Sequence, residues 1–146
     1  MEENGKQIET LLESLPSIEN VIANDIESYP VELDNWLQKC ASDGEMLYPW
    51  HRVAPILAIK TIINLNSYFR KRGFLGPIVQ TFEQRKSQIL KLFSNRKHTP
   101  FTFQRLVELL LDPEKYYLST HKLMNAIEKL MLITLPADKK KSKVRR

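Results

Sequence analysis

The side chains best suited to metal ligation or nucleophilic chemistry in this sequence are three histidines and one cysteine, and their spacing serves neither purpose. His51, His98 and His121 stand far apart, none has a second His or Cys three or four residues away, and there is no Cys-x-x-Cys. The pairing that lets two ligands share one helical turn or loop around zinc is therefore missing. Nor is there a Gly-x-Ser-x-Gly elbow, a His-Glu-x-x-His, or a glycine-rich phosphate loop, and a chain with 4 glycines has little from which to build one. An enzyme would need a site assembled from scattered residues such as Cys40, Glu45 and His51. Cys40, however, shares the i, i+3, i+4, i+7 stripe of Leu33, Trp36 and Leu37, where a thiol reads as a buried, inert packing group. The residues predict no enzyme, no metal and no cofactor.

Binding chemistry is better represented. Trp50 lies between Pro49 and Pro55 beside His51, at a helix entry where an aromatic serves either as a core anchor or as an interface hot spot, the core being the simpler reading. The sequence ends in KKKSKVRR, in which Lys139, Lys140, Lys141, Lys143, Arg145 and Arg146 read first as a nuclear import signal. Contact with phosphates or acidic protein, or simple solubilisation, are the alternatives. The net charge of +5 is unevenly spread: residues 1–35 sum to −8, residues 36–138 to +7 and residues 139–146 to +6. Such asymmetry steers charged partners without specifying a fold.

The elements that must position these residues are helical. Ile8, Leu11, Leu12 and Leu15 repeat at the spacing of one apolar helix stripe, and Pro16 ends that run. Ser17 is an expected N-cap for a second helix carrying Ile18, Val21, Ile22 and Ile26, closed by Pro30. The third helix, carrying the Leu33 to Cys40 stripe, ends at an Asp43-Gly44 turn signal. From Val53 to Leu65 apolar residues cover most of the circumference, which predicts a central helix packed on several sides and starting near Arg52, so that Pro55 falls in its first turn. Arg70-Lys71-Arg72-Gly73 closes it with cations at the negative end of the helix dipole, and Gly76-Pro77 extends the loop.

A fifth helix over 81–94 turns Phe82, Ile89, Leu92 and Phe93 inward and Arg85, Lys86 and Lys91 outward. Thr102 is expected to cap a sixth, with Phe101 stapled onto Leu106 and Asp112-Pro113 as its stop. Ser119 or Thr120 caps the last helix, bearing Leu123, Ala126, Ile127 and Leu130, and Met131 to Leu135 either continues it or runs extended up to Pro136. The prediction is an all-α array of about six to seven mostly antiparallel helices in one domain, 1–136, followed by a disordered basic tail, 137–146. A winged-helix-like C-terminal part is open, with residues 119–132 as recognition helix. That segment offers only Lys122 and Lys129 as cations, so direct nucleic-acid binding is the minority reading.

Length suits a single compact core. A lone cysteine fits a reducing compartment, the N-terminus MEENGKQIET lacks a signal-peptide pattern, and the apolar run from Val53 is broken by Pro55, Lys60, Thr61 and Asn64, short of the roughly 18 to 20 residues a membrane span needs. The expectation is a nuclear and cytoplasmic protein without membrane attachment.

The stretch over 99–130, TPFTFQRLVELLLDPEKYYLSTHKLMNAIEKL, resembles the protein phosphatase 4 regulatory subunit 2 family through Pro100-Phe101-Thr102, Gln104-Arg105-Leu106, Glu108-Leu109-Leu110, Asp112-Pro113, Tyr117, Lys122 and Glu128-Lys129. Pro30, Leu33, Leu37, Asp43-Gly44-Glu45 and Trp50 resemble it as well, as does Ile89-Leu90-Lys91, so the likeness spans most of residues 30–132. The resemblance implies a non-catalytic subunit that joins the phosphatase 4 catalytic subunit to a scaffold of the regulatory subunit 3 type. It further implies work on chromatin and DNA-damage-response substrates, including phosphorylated histone, in nucleus and cytoplasm. Animal members carry a long acidic tail where this sequence has KKKSKVRR, so functions of that tail are not expected to carry over. Within the matched motif, Gln104, Arg105, Glu108 and Asp112 lie off the apolar stripe and become, with Trp50, the candidate partner contacts. Arg105 and Glu108 at i, i+3 also suit a plain surface ion pair. The alternative function is a nuclear DNA- or chromatin-binding adaptor with a helix-turn-helix-like C-terminal half.

Overall fold

The computed structural model describes residues 2–44, 46–74 and 79–133, and every regular element among them is helical. The expected tail over 137–146 with its import residues, Pro136, Glu45 and the Gly76-Pro77 loop lie outside the described residues. In chain order the helices are α1 (Glu2–Glu13), α2 (Ile18–Asn24), α3 (Glu32–Asp43), α4 (Trp50–Arg72), α5 (Val79–Asn95), α6 (Phe103–Leu111) and α7 (Thr120–Leu132), with a 3-10 turn at Pro113–Lys115. There is no strand among the described residues to form a wing beside α7.

α4 is the axis of the array and packs against α1, α2, α5, α6 and α7, while α3 lies chiefly on α6. Its circumferential apolar pattern is borne out: Val53, Ile56, Leu57, Ile59, Ile62 and Leu65 are all fully buried. The helix begins two residues before the expected Arg52, because Pro49 is its extended N-cap and the chain turns helical at Trp50. Pro55 therefore sits beyond the first turn, and the His51 carbonyl lacks the donor four residues on, at an exposed residue where solvent is available.

Local signals set most helix ends. The Ser17 hydroxyl accepts from the Asn20 amide, and that of Ser119 from the Lys122 amide, each satisfying an orphan N–H of a first turn. Gly44 adopts φ 70° and its N–H returns to the Cys40 carbonyl, closing α3 as expected. α2 ends earlier than Pro30 predicts: Asp25 takes a left-handed φ of 51°, and the Ile26 amide returns to Val21. The Thr102 hydroxyl makes no cap and instead donates to the Leu130 carbonyl at 2.6 Å, fastening the start of α6 to the end of α7. Phe101 is 57% exposed, so it does not staple onto Leu106.

Two lysines expected in solvent or read as mere interruptions are buried. Lys86, expected outward on α5, is 4% exposed, with Nζ 3.0 Å from Asp25, 2.9 Å from the Asn66 side-chain oxygen and 3.1 Å from Glu83. Asn66 in turn donates to Asp25 and to Glu27 at 2.7 Å, so one polar knot joins α4, α5 and the loop after α2. Lys60 is tied to Asp34 and to the Tyr29 hydroxyl, both at 2.9 Å. Burial pushes the Tyr29 hydroxyl above its usual pKa, which keeps it a proton donor to Asp34 at 2.8 Å. Buried cations persist when paired and hydrogen-bonded in this way.

Candidate functional site

The residues singled out by sequence are sorted by the amphipathicity of α6. Phe103, Leu106, Val107, Leu109 and Leu110 are buried, which turns Gln104, Arg105 and Glu108 outward, with Asp112 just past the helix end. α6 lies along α3, and the small Ala41 of α3, 4% exposed, lets the two approach. The Gln104 side-chain amide donates to the Ala41 carbonyl, one of the four carbonyls at the end of α3 that have no partner within the helix. Gln104 thereby closes α3 from outside and packs beside Gly44, where an added Cβ would find the Gln104 amide at ordinary contact distance.

Next to this seam a groove of about 250 Å³ is lined by Gln38, Ser42, Glu108, Asp112, Lys115 and Tyr116. Arg105 stands at its rim, with its guanidinium 4.2 Å from the centre of the Tyr116 ring and 3.5 Å from Glu108. The Arg105–Glu108 pair is the surface ion pair the i, i+3 spacing predicts, both side chains being about half exposed. The groove carries charges of both signs, Lys115 and the neighbouring Arg105 positive, Glu108 and Asp112 negative.

The turn that carries Tyr116 is fixed from behind. Tyr68 on α4 donates its hydroxyl to the Tyr117 carbonyl at 2.6 Å, and burial raises its pKa above 10, so it stays a donor at neutral pH. Arg72 stacks on the Tyr68 ring at 4.6 Å and bonds Glu114 at 2.9 Å. That hydrogen bond, reinforced by the charges of Arg72 and Lys71, holds the Glu114 carboxyl below its usual 4.5.

Trp50 takes the core alternative. It is 3% exposed, stacks on Phe93 at 6.3 Å, and its indole N–H donates to the Phe93 carbonyl at 3.1 Å. It is not brought to the α3–α6 groove. Cys40 is half-buried rather than sealed, beside Trp36, Lys39, Asp43 and Leu47. His51 and His98 are exposed, and His121 stacks on Phe74 at 4.1 Å. Among the described residues no three of His, Cys, Asp and Glu gather as a metal site, and no helix is long and apolar enough to cross a membrane. The contributions of Gln38, Ser42, Lys115 and Tyr116 were not foreseen. Gln38 and Ser42 at i, i+4 flanking a small residue were the available hint, whereas Tyr116 meets Arg105 only through the tertiary turn.

Comparison with known proteins converges on one family. The family model described as PPP4R2 matches residues 14–144, from just after α1 onward. A serine/threonine-protein phosphatase 4 regulatory subunit 2-A of Danio rerio is 31% identical over 144 residues, covering 92% of this chain and 34% of that protein. The corresponding 2-A protein of Xenopus laevis is 33% identical over 108 residues, 70% of this chain and 27% of its own length. The Drosophila melanogaster regulatory subunit 2 is 28% identical over 143 residues, 93% and 22%. The chain thus spans about a third or less of the length of these relatives. No solved structure matches it.

Proposed function

The chain belongs to the PPP4R2 family, and from that premise we propose that it acts as a non-catalytic regulatory subunit of serine/threonine-protein phosphatase 4, binding the catalytic subunit and a scaffold of the regulatory subunit 3 type. The observation that carries this reading is the family match across residues 14–144, together with relatives whose names describe regulatory subunits of that phosphatase. On this reading the chain supplies binding surface and the partner supplies the chemistry. The finer reading, recruitment to chromatin and DNA-damage-response substrates such as phosphorylated histone in nucleus and cytoplasm, rests on the family resemblance and on the import character of Lys139 to Arg146 in the sequence.

The α3–α6 groove is the surface proposed to meet a phosphatase subunit. What supports it is the coincidence of the motif residues Arg105, Glu108 and Asp112 with a concave seam of mixed charge beside a well-braced turn. Gln104 contributes by holding the end of α3 in register. Reversing two charges, Arg105→Glu with Asp112→Lys, changes exposed side chains and is expected to leave the helical circular dichroism unaltered. Capture of the phosphatase 4 catalytic subunit from cell extract should fall at least about tenfold, the consequence of losing roughly 1.4 kcal/mol or more of interface energy. Undiminished capture by a folded double variant removes the groove from the account.

A further inference from the structure

A second concave surface shares no lining residue with the α3–α6 groove. It is the larger of the two, about 420 Å³, between the end of α4 and the start of α7, and is lined by Arg72, Gly73, Phe74, Leu118, Thr120 and His121 among others. Its walls are held together by the Thr120 hydroxyl, which donates to the Gly73 carbonyl at 2.7 Å. Phe74 is braced between His121, stacked at 4.1 Å, and Phe82, edge-on at 5.7 Å. Leu118 stands at its rim 68% exposed. An isolated exposed leucine has no significance on a protein surface, but one that overhangs a preformed concavity beside an aromatic ring offers a seat for an apolar side chain.

The segments that line it are predominantly basic. Residues 70–74 and 118–122 hold Arg70, Lys71, Arg72 and Lys122 and no carboxylate, the nearest acid in sequence being Glu114. Glu114 is already engaged by Arg72 at 2.9 Å, and Lys71 lies close enough to help lower its pKa. Lys71 and Lys122 are in no described ion pair, so their charge is available to a ligand. Cations beside a small apolar seat are complementary to an acidic peptide segment that carries one large apolar residue. They suit a nucleic acid less well, because base stacking needs open ring faces and Phe74 already has one face on His121 and an edge-on contact with Phe82.

We infer that the groove between α4 and α7 is a docking site for an acidic peptide segment, with Leu118 and Phe74 receiving its apolar residue and Lys71 and Lys122 its carboxylates. The site is independent of which surface holds the phosphatase. The test titrates the isotopically labelled full chain with a synthetic peptide of alternating Glu and Asp around one Leu, followed by amide NMR shifts, with the Leu-to-Ala peptide and a single-stranded oligonucleotide as comparison probes. The amides of Phe74, Leu118, Ser119 and His121 should shift, and the Leu-to-Ala peptide should bind at least about fivefold more weakly, as expected for loss of an anchor. Leu118→Ser and Lys71→Glu with Lys122→Glu, all exposed positions, should each weaken binding by at least about fivefold with dichroism unchanged. The proposal is overturned by any of four results: no binding up to about 1 mM peptide; shifts confined to other parts of the chain, such as the basic C-terminal residues; unchanged affinity in Leu118→Ser; or tighter binding of the oligonucleotide than of the peptide.

Discussion

Replacing Trp50 by phenylalanine separates the two roles an aromatic at that position can play. The substitution keeps a ring against Phe93 but removes the indole N–H that satisfies the Phe93 carbonyl at 3.1 Å. Phe93 lies within the last four residues of α5, so its carbonyl has no partner within the helix and Trp50 is what closes that helix end. Leaving a buried carbonyl unpaired costs about 1–3 kcal/mol. The smaller ring also leaves a void among side chains that are fully buried, which adds about 1 kcal/mol. The sum is roughly 2–4 kcal/mol, a large share of the roughly 5–15 kcal/mol that holds a domain together. For a domain of this size each kcal/mol shifts the melting temperature by roughly 4 °C, so the variant should melt about 8–15 °C lower. Thermal unfolding followed by circular dichroism reads the shift, and capture of phosphatase well below the new midpoint should match the parent chain. A melting temperature within about 2 °C of the parent combined with lost capture would show Trp50 acting at an interface, and the packing argument would be wrong.

Other perturbations follow from the same contacts. Asp25→Asn keeps a residue type that tolerates the left-handed φ of 51° while deleting the charge that meets Lys86, so thermal unfolding should show a loss of about 1–2 kcal/mol, discounted because Asp25 is about half exposed; no loss would mean that Glu83 and Asn66 suffice for the buried ammonium. Gly73 adopts φ 73° and ψ −165°, a region nearly closed to other residues, and an added Cβ there meets nothing within 4 Å. Gly73→Ala should therefore cost about 1–3 kcal/mol purely through backbone strain, and a neutral result in denaturant unfolding would refute that conformation. Glu114 titrates below 4.5 because of Arg72, so its contribution to stability is present above the ordinary carboxyl pKa and is lost as pH falls through the lowered one. In Arg72→Gln the Glu114 titration followed by NMR should move up toward 4.5, and an unmoved midpoint would reassign the cause.

What the sequence discloses divides by distance along the chain. Caps at Ser17 and Ser119, the Gly44 stop and the buried circumference of α4 depend on residues within a turn or two, and all are legible. The same local signals mislead where a tertiary partner competes: Thr102 has cap chemistry, but the Leu130 carbonyl, 28 residues away, takes its hydroxyl. Lys86 looks like a solvated helix face until Asp25 and Asn66, 61 and 20 residues distant, close over it. At the α3–α6 groove, amphipathicity alone turns Arg105 and Glu108 outward. That Gln104 reaches Ala41, and that Tyr116 folds under Arg105, follow only from the packing of α6 on α3 and from the brace of Tyr68 on the turn. For Trp50 the sequence favours the core over an interface, and the Phe93 carbonyl that takes its indole N–H is the tertiary partner that fixes it there.

The role of a regulatory subunit is tested most directly by mixing the purified chain with purified phosphatase 4 catalytic subunit and passing the mixture over a sizing column. Co-elution as a complex, with no phosphoester hydrolysis by the chain alone, is the predicted result. Separate elution of the two proteins, or turnover by the chain without its partner, contradicts the account.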